Sequence, residues 1–129
     1  IGWAIPPKEE KVLKVKGRDL VSGLPKEITL TSSEIYKCLS EQLSSIVEAA
    51  RSVLEKTPPE LAADIGERGI CLTGGGSLLR GIDEMLAKAL STPVYVAEDP
   101  ISCVALGAGK VLDYLKLLRD GFLYTKREK

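Results

Sequence analysis

The feature that most constrains the fold is a run of three glycines, residues 74–76, between a short apolar segment and a helical pattern. The apolar segment, residues 70–72, has the character of a strand that is buried on both faces. After the glycines, apolar residues recur at helical spacing from residue 82 to residue 90. A strand, a glycine loop and a helix in this order predict an α/β fold with the loop beyond the carboxyl end of the strand.

The pattern continues beyond this unit in the same alternating order. Residues 94–97 predict a second strand, and residues 101–118 predict a final helix with Asp99 as its N-cap and Pro100 in its first turn. A strand, helix, strand and helix in succession imply parallel strands joined by helical crossovers. Gly107 and Gly109 give the final helix a small face, which is typical of close packing against a sheet or beside a ligand.

The first half of the chain has a different character. Residues 1–5 predict a short strand, while the alternation of residues 13–16 and 27–31 predicts two more, which together suggest a small antiparallel sheet. Thr31-Ser-Ser-Glu34 matches a capping box and begins a long amphipathic helix. Pro58 and Pro59 end that helix and start another, over residues 60–68, which stops before Gly69.

Composition and charge exclude several classes of function. Lys and Arg together number 18, as do Asp and Glu, so the chain lacks the basic balance expected of a nucleic-acid-binding protein. Histidine is absent, and the three cysteines lack the spacing of a metal or redox motif, which favours reduced thiols in a cytoplasmic protein. The first residues are apolar and do not include a methionine, so we expect the sequence to begin inside a longer protein.

The glycine loop is the one segment with the chemistry of a site. Glycine lets the backbone approach a ligand closely, and a helix that follows presents free N–H groups. From the glycines alone, a tight turn and a ligand site are equally good interpretations. The loop matches neither a Walker A motif nor GxGxxG, because no Gly-Lys-Ser/Thr follows and Leu79 stands where the third glycine would be.

Residues 72–83, with the sequence LTGGGSLLRGID, resemble the adenosine motif of the actin, Hsp70 and sugar-kinase superfamily. Three further segments resemble the MreB family of bacterial actin homologues. Residues 17–25 resemble its hairpin, residues 54–64 the segment before the adenosine motif, and residues 97–107 its second connecting helix. The resemblance covers nearly the whole chain.

This resemblance implies part of an actin-like ATPase domain of the ribonuclease H-like class, with a small antiparallel sheet plus helices followed by β-α-β-α. Residues 1–56 would form the small lobe of the second domain, and residues 57–129 the C-terminal part of the nucleotide-cleft lobe. The implied nucleotide-binding residues are Gly74, Gly75, Gly76, Ser77, Leu78 and Leu79. The first four would line the adenosine side of the cleft, and the two leucines would lie near the base or ribose.

The resemblance also implies a function. The ligand would be ATP with Mg²⁺, and the subunits would form cytoplasmic filaments at the inner face of the cell membrane. These filaments would determine rod shape together with cell-wall elongation and membrane proteins. The basic residues Lys11, Lys14, Lys16 and Arg18 are typical of a solvated strand face, and they also offer a basic surface to a neighbouring subunit.

The superfamily's phosphate loops, first connecting helix and catalytic acidic residues have no counterpart in this sequence. We therefore expect no catalytic or metal-binding residues here, an ATPase as the intact protein, and weak or undetectable ATP binding by this chain alone. We also expect the chain alone to self-associate through uncovered sheet edges. The alternatives are a fragment of an FtsA-like cell-division protein or a sugar kinase, and an interaction module whose glycine loop is only a turn.

Overall fold

The computed structural model describes residues 1–114. Its elements, in chain order, are β1 (Val12–Arg18), β2 (Pro25–Thr31), α1 (Ser32–Glu55), α2 (Pro59–Arg68), β3 (Ile70–Leu72), a 3₁₀ turn (Gly75–Leu78), α3 (Ile82–Leu90), β4 (Val94–Val96) and α4 (Cys103–Asp113). The α/β fold predicted from the sequence is thus confirmed. The predicted end of the final helix at residue 118 and the charged tail lie outside the described residues.

Two small sheets organise the described part of the chain. β1 and β2 pair antiparallel, with Val12 opposite Thr31 at one end and Arg18 opposite Pro25 at the other. β3 and β4 pair parallel, and α3 makes the crossover between them. Residues 1–5 form only a single bridge, from Trp3 to Arg80, so the strand predicted there is wrong in extent.

The capping box at the start of α1 is present as predicted. The backbone N–H of Glu34 donates to the Thr31 hydroxyl at 3.2 Å, and the Thr31 N–H donates to the Glu34 carboxylate at 2.9 Å. Glu10 adds a second carboxylate to this helix end, where the helix dipole favours negative charge. It accepts from the Ser33 hydroxyl and the Ser33 N–H, and these bonds lower the pKa of the Glu10 carboxyl.

We expect Thr31→Ala to lower the free energy of unfolding of the full-length protein by about 1 kcal/mol, because the first turn of α1 loses its acceptor. Urea denaturation followed by circular dichroism measures this change. Thr31→Ser keeps the oxygen and serves as the matched control, with stability close to that of the unaltered protein. Equal losses in both variants would show that packing of the threonine methyl, rather than the cap, is responsible.

The core lies where α1 crosses α3, beneath the first residues of the chain. Ala4, Leu43, Ile82 and Leu86 are buried together. Half-buried residues that surround them are Leu39, Val47, Leu72, Leu79, Met85, Leu90 and Val94. The core therefore joins the long helix to the β3–α3–β4 unit and holds the glycine loop's flanks in place. The predicted lobe boundary at residue 56 stays a prediction.

The start of α4 differs from the sequence prediction. The helix begins at Cys103 rather than residue 101, and Asp99 is not its N-cap. Residues 100–102 form a turn, and the thiol of Cys103, just after it, donates to the Asp99 carbonyl at 3.1 Å. The reason is a long-range contact, because the Pro100 carbonyl accepts from the N–H of Gly74 at 2.6 Å and so holds this turn against the glycine loop.

Candidate functional site

The glycine loop closes into a compact turn directly after β3. Gly74 has φ 79° and ψ 170°, a conformation that a side chain strongly disfavours, and this residue turns the chain out of the strand. The Ser77 hydroxyl and the Ser77 N–H both donate to the Gly74 carbonyl, at 2.7 Å and 3.2 Å. Ser77 is buried, so its hydroxyl serves to close the loop from within.

The strand edge and the turn before α4 hold this loop in position. The N–H of Gly74 donates to Pro100, and the N–H of Ala97 donates to the carbonyl of Leu72 at 3.0 Å. Both bonds join the exit of β3 to the exit of β4. The loop thus lies at the carboxyl end of two parallel strands, the place in α/β folds where ligands bind.

The outer surface of the loop is bare backbone. A Cβ placed on Gly74, Gly75 or Gly76 would have no atom of residues 1–114 within 4 Å beyond its chain neighbours. The first N–H groups of a helical turn also have no partner inside that turn. Open space above exposed peptide groups lets a flat or polar ligand approach the backbone closely.

The six residues predicted for the site divide into two groups. Residues 74–78 share the loop, and Leu78 is 56% exposed beside the glycines. Leu79 instead packs against the hydrophobic core, and its Cδ1 lies 3.3 Å from the position of a Cβ on Gly2. Leu79 therefore supports the loop from below. Contact of these residues with a nucleotide stays a prediction.

Sequence reasoning missed the partner of the loop's far end. The first residues of the chain lie across it, with the Ala4 N–H donating to the Arg80 carbonyl at 2.8 Å. The Arg80 guanidinium lies 5.4 Å from the centroid of the Trp3 ring, within cation–π range. The Trp3 indole N–H is buried and has no acceptor within residues 1–114. No local signal links positions so far apart in sequence.

Metal-ligating side chains are not grouped in the described part of the chain. Among residues 1–114, no three His, Cys, Asp or Glu side chains are placed to hold a metal ion together. In the same residues, no helix is both long and apolar enough to span a bilayer.

A parallel β-α-β unit with a glycine loop, next to a small antiparallel sheet and a long helix, places the chain in the class of actin-like folds. MreB5 of Spiroplasma citri bound to ADP superposes with a TM-score of 0.84 and 37% identity over 94% of this chain. The same protein bound to AMPPNP gives a TM-score of 0.83 at 38% identity. The sequence profile of the MreB/Mbl protein family matches residues 1–120, and the chain belongs to that family.

Curated relatives agree with this assignment. The chain is 48% identical over 118 residues to the cell shape-determining protein Mbl of Bacillus subtilis, covering 92% of this chain. It is 50% identical over 126 residues to the cell shape-determining protein MreB of Escherichia coli, covering 98% of this chain. The chain spans 35% and 36% of the lengths of these two relatives. Membership of a cell shape-determining family does not favour the FtsA-like or sugar-kinase alternatives.

Proposed function

We propose that the full-length protein is an ATP-binding, filament-forming actin homologue that determines cell shape by organising cell-wall synthesis at the inner face of the membrane. Residues 74–78 form the adenosine wall of its nucleotide site. The bare loop at the carboxyl end of β3 is the observation that carries this proposal. The structural relatives bound to ADP and AMPPNP support a nucleotide as the ligand.

The chemistry of the loop suits an adenosine better than a phosphate. Its surface consists of peptide groups and the exposed Leu78 side chain, which offers an apolar edge to a base or ribose. The Arg80 guanidinium, a group of the type that binds phosphates, faces the Trp3 ring instead. In the proposed site this chain binds and orients the nucleoside, while the groups that hold the phosphates and Mg²⁺ come from the remainder of the full-length protein.

The proposed role of ATP is to drive assembly. When bound, ATP would supply a hydrolysable phosphoanhydride bond, and residues 74–78 of this chain would hold its nucleoside. In this division of labour, residues 1–114 contribute a rigid wall, because α1, α3 and the first residues of the chain are packed into one core behind the loop. We expect this chain alone to bind ATP weakly, since half a cleft leaves most of the ligand in water.

Sedimentation and light scattering of the full-length protein, with Mg-ATP, with Mg-ADP and without nucleotide, test the proposal. We expect polymer that sediments with Mg-ATP and does not form without nucleotide. ATP turnover without any polymer would favour an enzymatic member of the superfamily. Absence of any response to ATP would make the glycine loop a structural turn only.

A further inference from the structure

The last residues of the glycine loop run beside residues 2–5, which we call the 2–5 segment. The Ala4 N–H donates to the Arg80 carbonyl at 2.8 Å, and Trp3 pairs with Arg80 in a parallel bridge. Ala4 itself is buried in the hydrophobic core. The end of the loop is therefore attached to the core by a stretch of backbone that is distant from it in sequence.

Glycines on both sides allow this attachment to be tight. A Cβ on Gly2 would lie 3.3 Å from the Cδ1 atom of Leu79. A Cβ on Gly81 would lie 2.7 Å from the Cγ1 atom of Ile5, and Gly81 has φ 74°, in the region that favours glycine. The 2–5 segment thus packs against the end of the loop with no room for further side chains between them.

The Arg80 side chain is held above the ring of Trp3, which is half-buried. The guanidinium carbon lies 5.4 Å from the ring centroid, within the range of about 6 Å for cation–π attraction. Arg80 forms no ion pair within residues 1–114, so the ring is the group that fixes its side chain. Trp3 therefore restrains both the backbone and the side chain of Arg80, two residues after the exposed Leu78.

The indole N–H of Trp3 needs a partner from outside the described residues. This N–H is buried, yet no acceptor for it lies within residues 1–114. Buried donors in folded proteins nearly always have an acceptor, because an unpaired donor has lost its bonds to water without replacement. We expect the remainder of the full-length protein to supply the acceptor, which would fix the indole from its second side.

Restraint of the loop matters for binding because three consecutive glycines have great conformational freedom. A loop that is ordered before the ligand arrives loses less entropy on binding, and so binds more tightly. The start of this loop is fixed by the bond from the Gly74 N–H to the Pro100 carbonyl. Its end is fixed from outside by Trp3 and Ala4.

We propose that Trp3 is a positioning residue of the nucleotide site, which acts through Arg80 to keep the glycine loop in its binding conformation. This inference rests on the proposed function, because it concerns the affinity of that same nucleoside site. Trp3 itself does not contact the nucleotide. Without its indole, residues 77–80 sample more conformations in the free protein, and the cost of ordering them on binding lowers the affinity.

Isothermal titration of the full-length protein with Mg-ATP tests this role. We expect Arg80→Gln to weaken binding about two- to fivefold, the factor that corresponds to an exposed cation–π pair. Arg80→Lys keeps the cation and should restore most of the affinity. Trp3→Ala also removes the packing of the ring and should weaken binding about tenfold. The double variant Trp3→Ala, Arg80→Gln should bind no more weakly than Trp3→Ala, because the two side chains act as one unit.

Arg51→Gln is the matched control for the loss of a guanidinium. The Arg51 side chain donates to the Ala89 carbonyl at 3.0 Å and so joins α1 to the end of α3 that is far from the loop. We expect Arg51→Gln to bind Mg-ATP with normal affinity. Equal weakening in Arg51→Gln and Arg80→Gln would overturn the positioning role, since a general loss of stability would then explain both.

Hydrogen exchange of the nucleotide-free protein gives a readout of the loop itself. The Leu79 N–H donates to the Gly76 carbonyl at 3.2 Å, and its exchange should be faster in Arg80→Gln and unchanged in the Arg51→Gln control. Normal affinity and normal exchange in Arg80→Gln would overturn the inference, even if Trp3→Ala failed to fold. The proposed function would then still stand if the unaltered protein bound Mg-ATP, whereas absence of that binding would remove the proposed function itself.

Discussion

Replacing Gly75 with aspartate in the full-length protein is expected to weaken Mg-ATP binding at least about a hundredfold, with little change in the free energy of unfolding. A Cβ at Gly75 meets open space, and this glycine is exposed and has no positive φ, so the fold tolerates a side chain. In the proposed site that space belongs to the nucleotide. The carboxylate would occupy this space and would lose its hydration where it contacts the ligand. Desolvation of an unpaired charge costs several kcal/mol.

Two variants separate the effect on the ligand from any effect on the fold. Gly66→Asp introduces the same charge at another open position, on the surface of α2, and should leave nucleotide affinity unchanged. Gly75→Ala adds only a methyl group and should weaken binding much less than aspartate does. Isothermal titration with Mg-ATP measures all three, and thermal denaturation checks that they fold. Normal affinity in Gly75→Asp would mean that the loop does not face the nucleotide.

Local signals in the sequence were enough to predict most of the elements. The capping box before α1 requires only Thr31 and Glu34, which are three residues apart, so no distant contact decides it. The strand before the glycines and the helix after them follow from runs of neighbouring residues. The loop was located for the same reason, because its bare backbone is a property of three consecutive glycines rather than of their surroundings.

The failures lie where a distant contact overrides the local preference. Asp99 has the residue type of an N-cap, yet the Pro100 carbonyl accepts from Gly74 and delays the helix to Cys103. Residues 1–5 have the pattern of a strand, yet they form only the bridge from Trp3 to Arg80. Neither outcome can be predicted from the neighbouring residues, since both depend on partners more than twenty positions away.

Gly69→Ala is expected to cost the full-length protein about 3 kcal/mol of stability, one of the largest losses for so small a change. Gly69 ends α2 with φ 80° and ψ −175°, a region that is essentially restricted to glycine. A Cβ there would lie 2.7 Å from the backbone oxygen of Pro93. That oxygen accepts from the Ile70 N–H at 2.8 Å, so it cannot move away without disturbing the pairing of β3 with β4.

Gly66→Ala should instead raise the free energy of unfolding, so the two variants are expected to change stability in opposite directions. Gly66 lies inside α2 with open space around it, so alanine introduces no contact there and raises helix stability by about 1 kcal/mol. Urea denaturation of both variants, matched in chemistry and three residues apart, isolates the backbone constraint at Gly69. A loss below about 1 kcal/mol at Gly69 would mean that the β3–β4 edge yields easily. The glycine loop, which begins two residues after the end of β3, would then lack a rigid base.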